Sequence, residues 1–238
     1  MAPAVVPTFM DQLQKTLRAA GSVADSRSFA AAVIGALRDG GAGGSAHLRA
    51  LSEGAVARPL QAVADAAHFL VILHGQLPSV LEIARLNADE PAASWLRSAG
   101  VAFDQDRRWM AGLAAMTGGA LDLQGISTAE QVVRDQRDAM LTLAKSNRMG
   151  CALGAAVTLV LDWQTVRSRL PRAAQHLGYD RHERLSDPWP VDGAFDALAC
   201  HADDVRVRRA IEFGALQLAS LHAQLFDLLE ARHAQRLG

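Results

Sequence analysis

The chain has 238 residues, 50% of them hydrophobic, and a formal net charge of −1. A chain of this length and composition buries roughly 70% of its unfolded surface or more, which excludes a mainly disordered protein. The near-neutral charge argues against nucleic acid as a partner, because nucleic-acid-binding domains present a strongly basic surface.

The N-terminal part of the chain is predicted to be helical, because apolar residues recur there at helical spacing. The first helix begins near Thr8 and the second at Asp25 or Ser26. The second ends in the glycine-rich run 39–44, which we expect to be a flexible connection, since glycine adopts positive φ at little cost. Residues 1–238 are therefore predicted to form a single all-helical domain, with residues 1–54 loosely attached through a loop at 39–45.

Proline and glycine residues mark the expected helix ends farther along the chain. Ser127 and Glu130 have the spacing of a capping box, in which the serine caps the helix and the glutamate binds the serine N–H. Pro171 is expected to begin a short helix of its own. The longest loop is expected at 179–193 and contains His182. The predicted helices are 59–74, one from Pro78, 91–100, 101–116, 127–146, 149–170, 171–178, and one long or two shorter helices over 203–236.

One helix is apolar on every side. Residues 151–163 contain a single charged side chain, Asp162. A helix of this kind is surrounded by protein, so the fold class is predicted to be all-α, a multi-helix bundle around residues 149–170. Small residues in this helix either let neighbouring helices approach closely or leave space for a ligand: Gly150, Gly154, Ala155 and Ala156.

Asp162 and His222 are candidate ligand-binding residues. A buried carboxylate must be paired or hydrogen-bonded. Asp162 is therefore expected to form a salt bridge with an arginine such as Arg167 or Arg169, to be exposed where the helix nears its end, or to serve in a binding site. His222 lies among leucines in the last helix, where it is either a core histidine or an axial ligand of haem.

Two segments place a carboxylate three residues before a histidine, on one side of a helix: Asp65 with His68, and Glu230 with His233. Paired segments of this type hold the di-iron site of ferritin-like bundles, although those use glutamate in both pairs. The four residues are the candidate metal ligands. Asp65 is expected to pair with His68 and to orient its ring toward a ligand; the alternative is that the two groups merely satisfy each other. No particular cofactor is indicated.

The cysteines and the N-terminus bear on location. Cys151 and Cys200 lie in helical patterns and not in a paired motif, which favours reduced thiols and a cytoplasmic protein. Residues 1–7 lack the basic start and apolar run of a signal peptide. The longest apolar stretch, 151–161, is shorter than the roughly 20 residues that span a bilayer, so no membrane segment is expected.

Two stretches carry a family resemblance: His68-Phe-Leu-Val-Ile-Leu-His74-Gly75, and Gly150-Cys-Ala-Leu-Gly-Ala-Ala156 followed by Asp162-Trp163. They resemble an uncharacterised family of bacterial all-helical proteins of unknown function. The resemblance runs from about residue 55 to the end and implies the all-helical fold. It assigns no activity and no catalytic residue.

The nucleophile, phosphate-binding and zinc-protease motifs are absent from the sequence: GxSxG, GxGxxG, GxxxxGK[ST] and HExxH. This absence favours a protein that acts through protein–protein interaction or regulation, with another protein or a second copy as partner. The alternative is a bundle that binds a small molecule or metal, ferritin-like or haem-oxygenase-like in the broad sense, and acts as an enzyme. The sequence does not decide whether the protein is an enzyme.

Overall fold

Helices make up the regular structure of the protein. The computed structural model describes residues 33–35, 37, 40–179, 185, 187–199 and 204–238, and none of these lies in a β-strand. Residues 33–35 and 37 are helical. The helices with defined bounds are α1 (Gly41–Gly44), α2 (Ala46–Ser52), α3 (Pro59–His74), α4 (Val80–Leu86), α5 (Ala92–Thr117), α6 (Ile126–Ala144), α7 (Cys151–His176), α8 (Ala194–Ala199) and α9 (Val205–Gln235), with a 3-10 turn at Gly118–Ala120.

Helix α7 is the centre of the bundle. Every residue from Cys151 to Trp163 is buried, and α7 contacts α9 most extensively, with α2, α4 and α6 around it. The prediction of an all-α bundle around residues 149–170 is confirmed. The physical reason is the apolar pattern of residues 151–163, because a helix without a polar side must be covered on all sides.

Helices α7 and α9 run parallel and touch backbone to backbone. A Cβ atom at Gly154 would lie 2.1 Å from the carbonyl oxygen of Ile211, and one at Gly214 would lie 2.1 Å from that of Cys151. One side chain larger than hydrogen at either position would push the helices apart. The prediction that glycines in α7 serve close helix approach is therefore confirmed.

Two expected helix breaks are wrong. Helix α5 continues through Gly100 and α7 through Pro171. Of the two alternatives for 203–236, the single long helix is the one observed, since α9 continues through Gly214. Gly100 is buried where a Cβ would meet Glu82, so this glycine serves packing. Pro171 is buried on the α7 core side, and packing there outweighs the roughly 3 kcal/mol that an internal proline costs a helix.

The predicted capping box at Ser127 is also wrong. Helix α6 begins at Ile126 after Gly125, whose φ is +65°, so Ser127 lies inside the first turn. A capping box does begin α4: the Ser79 hydroxyl accepts the Leu81 N–H at 3.2 Å, and the Glu82 carboxylate accepts the Ser79 N–H at 2.6 Å. Ser79 caps its helix as the motif requires, at a different place in the chain.

The glycine-rich run is ordered rather than a flexible connection. Residues 41–44 form the helical turn α1, in which Gly41 and Ala42 are buried against α7 and α9. Gly41 has φ +70°, and a Cβ on it would lie 2.6 Å from the Asp162 Oδ1 atom. Glycine is required here by both backbone conformation and space.

Several predictions fall on the undescribed part of the chain. The helices predicted from Thr8 and from Asp25 lie outside the described residues apart from 33–35 and 37, as do His182 and Cys200. Among the helices that the structure describes, none is long and apolar enough to cross a membrane.

Candidate functional site

Asp65 does not pair with His68, so that prediction is wrong. The Asp65 carboxylate is buried, and its Oδ2 accepts the Arg232 Nε–H at 3.1 Å as well as a hydrogen bond from Arg236. Three residues of separation put Asp65 and His68 on neighbouring rows of α3, and Asp65 faces α9. Two guanidinium groups there offer a buried carboxylate stronger hydrogen bonds than an imidazole does.

His68 finds its carboxylate on another helix. Its Nε2–H donates to the Glu130 Oε1 atom at 2.8 Å, across the contact between α3 and α6. The hydrogen bond from His68, followed by that from Arg134, lowers the pKa of Glu130 below its ordinary value. The His68 side chain is 25% exposed, so this is a boundary pair rather than the edge of a sealed pocket.

His233 lies beside the Asp65 cluster, and Glu230 does not. The ring of His233 lies 5.1 Å from the ring of His47, centroid to centroid. Burial and the neighbouring His233 lower the pKa of His47 to about 4. Burial, then Arg236, lowers the pKa of His233 as well. Glu230 is exposed on the outer side of α9.

The four candidate metal ligands do not come together in the structure. Among the described residues, no three histidine, cysteine, aspartate or glutamate side chains are grouped so that they could hold a metal ion. Asp65 is engaged by guanidinium groups, His68 by Glu130, and Glu230 faces solvent. A ferritin-like arrangement of two carboxylate–histidine pairs is not formed by these four residues.

Asp162 and His222 do come together, in the centre of the bundle. The His222 Nδ1–H donates to the Asp162 Oδ2 atom at 2.6 Å, and both side chains are about 98% buried. The Ala42 N–H donates to both carboxylate oxygens, at 3.0 and 2.9 Å. The carboxylate thus joins α1, α7 and α9. Of the two arginines expected to pair with it, Arg167 donates to Asp106, and Arg169 donates to the carbonyl oxygens of Ala42 and Ser45.

His74 completes this buried centre and was not among the candidate residues. Its ring meets that of His222 edge to face at 5.1 Å, and it packs in the same way against Trp163 and Phe103. Burial, then the neighbouring His222, holds the pKa of His74 well below its ordinary value. Helical spacing predicts that His74 lies at the end of an apolar helix. It does not predict that His74 contacts His222 on another helix.

Asp106 was not predicted to be a buried site residue, although the sequence contains a pattern that indicates its burial. It is fully buried and accepts hydrogen bonds from the Trp163 indole N–H at 2.9 Å and from Arg167 at 2.5 Å. Asp106 lies between Phe103 and Met110 at helical spacing, on the apolar side of α5. A charge at such a position predicts a buried partner.

These buried groups are suited to holding helices in place. Each carboxylate is matched by N–H donors from another element, as a buried charge requires. Within the described residues, the Nε2 atoms of His74 and His222 make no hydrogen bond. These two buried ring nitrogens are therefore the atoms of the centre that could bond a ligand.

A different kind of surface lies where α7 and α9 begin. Four large apolar side chains there are 42% to 71% exposed, and arginines surround them. Val205, Arg209, Phe213 and Leu216 follow one another at spacings of four, four and three, so they share one side of α9. We call this surface the arginine-rimmed face: Arg148, Met149, Val205, Arg206, Arg209, Phe213 and Leu216.

The arginine-rimmed face contains a cleft of about 320 Å³. Its floor is apolar, formed by Val207 and Ala210, and Arg148, Arg206 and Arg209 stand around it. The Arg148 guanidinium lies 5.5 Å from the ring centroid of Phe213, which links the start of α7 to α9. Within the described part of the chain, none of these three arginines forms an ion pair.

Comparison with known proteins adds a family and no activity. Neither the curated proteins nor the solved structures contain a match to this sequence. Residues 37–237 match a family described as a family of unknown function (DUF6975), so the match begins just before α1 and ends at the last turn after α9. Since that match covers most of the chain, the protein belongs to this family of unknown function, DUF6975.

Proposed function

We propose that this protein acts by binding another protein on the arginine-rimmed face. The observation that carries the proposal is the grouping of Met149, Val205, Phe213 and Leu216, four large apolar side chains that are all exposed. Leaving apolar area in water costs about 25 cal/mol per Å². Contiguous exposed apolar patches on folded proteins mark interaction sites, whereas single exposed residues carry no such meaning.

The partner we propose is a different protein rather than a second copy. In a two-fold symmetric dimer the same patch lies on both subunits. The arginines of the face would then meet a surface that carries the same arginines, and like charges brought together there oppose association. A partner of another sequence avoids this cost.

The setting we propose is a bacterial cytoplasm. Cys151 is buried and unbonded to another cysteine, and burial raises the pKa of its thiol above the ordinary value. A buried neutral thiol of this kind suits a reducing compartment. We also propose that residues 1–238 form a single domain.

A site-specific photo-crosslinking experiment tests the proposed function. A benzoylphenylalanine residue is placed at Leu216 on the arginine-rimmed face, and at Val132, an exposed residue of α6, as the matched control. We expect a discrete crosslinked protein from position 216 and none from position 132. The captured protein is then produced separately, and its affinity for wild type and for Leu216→Ser is measured by calorimetry.

The result of that binding measurement decides the proposal. We expect Leu216→Ser to weaken binding about tenfold and Val132→Ser to leave it unchanged, since central apolar anchors carry most of the energy of an interface. Absence of an adduct at 216, or equal weakening by both substitutions, would show that the face is not a binding site.

The buried centre supports a second candidate, a small ligand bound near His222. Its support is the pair of ring nitrogens, Nε2 of His74 and of His222, that bond no described protein atom although both rings are buried. Asp162 behind His222 would orient the ring toward such a ligand. Asp65 and His68 remain the less supported ligand-binding residues, because both are paired elsewhere.

Native mass spectrometry with metal analysis tests this second candidate. If the buried centre holds a metal or small molecule, the purified wild type carries extra mass that His222→Gln lacks. His68→Gln is the matched control, and it should retain the extra mass. A wild type at its bare polypeptide mass, free of bound metal, would exclude a copurifying ligand.

A further inference from the structure

We infer that the partner segment bound by the arginine-rimmed face is an acidic amphipathic helix. This inference rests on the proposed function, because it names the chemistry of the partner at that same face. Its basis is the combination of an apolar floor, a basic rim without ion pairs to the described residues, and a length that matches a few helical turns.

The charges around the cleft select for acidic groups. Arg148, Arg206 and Arg209 carry no carboxylate partner among the described residues, so their charges remain available at the surface. Between Asp204 and Asp227, α9 contains one acidic residue, Glu212. Asp204 accepts the Arg206 and Val207 N–H groups as the N-cap of α9. The local charge is therefore positive although the chain as a whole is slightly negative.

The apolar part of the face is long enough to contact a row of partner side chains rather than a single side chain. Val205 and Leu216 are eleven residues apart on α9, which corresponds to about 16 Å of helix. Three turns of a partner helix span the same length and present apolar side chains at spacings of three and four. The cleft over Val207 and Ala210 has room for one large apolar anchor of that helix.

A membrane surface and a nucleic acid fit the face less well. A bilayer would cover the exposed apolar side chains, but it would leave the cleft over Val207 and Ala210 unfilled. A nucleic acid backbone would use the arginines and leave Phe213, Leu216 and Met149 in water. A helix with apolar and acidic sides satisfies both groups of residues.

A fluorescence-anisotropy titration of the full chain tests the inference. The probe is a dye-labelled helical peptide of about 18 residues, with leucines at spacings of three and four and glutamates on both flanks. Two control peptides keep the length: one has lysines in place of the glutamates, and one has the leucines scrambled off a single side. We expect saturable binding of the acidic amphipathic peptide alone, weakening as salt is raised.

Charge-reversal variants locate the binding. We expect Arg206→Glu/Arg209→Glu to weaken the acidic peptide about tenfold or more, through lost attraction and added repulsion. The matched control, Arg97→Glu/Arg108→Glu, reverses two exposed arginines of α5 and should bind like wild type. Circular dichroism melting confirms that both double variants are folded.

Several results would overturn the inference. The lysine-flanked peptide could bind as well as the acidic one, or the two double variants could be equally weakened. Binding to vesicles of anionic lipid or to duplex DNA, without binding of the acidic peptide, would assign the face to a different partner class. A concentration-dependent dimer abolished by Leu216→Ser would assign it to a second copy. Crosslinking at position 216 to a partner without an acidic helix would retain the proposed function and reject this inference alone.

Discussion

The two sides of α9 differ in how they use apolar residues. Phe213 and Gly214 are consecutive, yet Phe213 is 42% exposed while Gly214 lies against the backbone of α7. The side toward α7 is closed by glycines and by the buried Asp162–His222 pair. The opposite side leaves large apolar groups exposed beside Arg148, Arg206 and Arg209. The comparison separates residues that maintain the fold from residues that are free to serve a partner.

The largest expected effect is on the buried side, at Asp162. Asp162→Ala removes the acceptor of both the His222 N–H and the Ala42 N–H. We expect a loss of about 2–5 kcal/mol in the free energy of unfolding, since two buried N–H groups lose their acceptor at about 1–3 kcal/mol each. Urea unfolding measures this. Asp227→Ala, at an exposed position of α9, should change the value by less than about 0.5 kcal/mol. A loss below about 1 kcal/mol for Asp162→Ala would contradict a tightly held centre.

The next effect concerns the helix contact itself. Gly154→Ala places a Cβ where the Ile211 carbonyl oxygen is 2.1 Å away, so α7 and α9 must separate. We expect a loss of about 2–3 kcal/mol from overpacking. Gly112→Ala is the matched control, because Gly112 lies within α5 with no atom within 4 Å of the added Cβ. That substitution should raise stability by about 0.5–1 kcal/mol, as alanine favours a helix over glycine. A stabilising Gly154→Ala would refute the close contact.

Acid should weaken the buried side through its neutral histidines. The folded pKa of His47 is about 4, below the ordinary 6.5. Between pH 6.5 and about 4 the unfolded chain therefore binds a proton at His47 that the folded chain does not. Stability falls as the pH falls through this window, by at most about 1.4 kcal/mol per pH unit for each such group. The lowered pKa of His74 acts in the same direction.

Urea unfolding at pH 7.5 and pH 5.0 checks this sign. We expect the wild type to be less stable at the lower pH, and His47→Gln to lose less stability than the wild type over the same interval. An equal loss in both proteins would show that His47 does not contribute to the pH dependence.

The sequence predicted those features that depend on residues near in the chain. The apolar pattern of Cys151–Trp163 requires a covered helix, and its glycines indicated close packing. Glycine and proline were misleading as helix ends at Gly100 and Pro171, because both are buried in helices that packing holds together. Local propensity is a small term where tertiary burial is large.

Pairing of site residues was harder to predict than the residues themselves. Asp162 and His222 were both selected, but their hydrogen bond joins residues 60 positions apart. Asp65 and His68 lie three positions apart, and each finds its partner on a different helix. Spacing along one helix decides which side chains share a side, whereas the packing of helices decides which of them bond.

The smallest expected effect is on the exposed side, and it sharpens the comparison most. Leu216→Ser and Phe213→Ser replace side chains that are 54% and 42% exposed. Because only about half of each side chain leaves water on folding, we expect each substitution to lower the free energy of unfolding by about 1 kcal/mol, less than the loss for a fully buried side chain. The same substitutions should weaken partner binding about tenfold, so stability and binding would separate on this face. Urea unfolding beside the anisotropy titration measures both quantities on one protein sample. A stability loss of about 3 kcal/mol or more would mean that the folded chain itself covers these side chains completely, and the arginine-rimmed face would then belong to the core rather than to an interface.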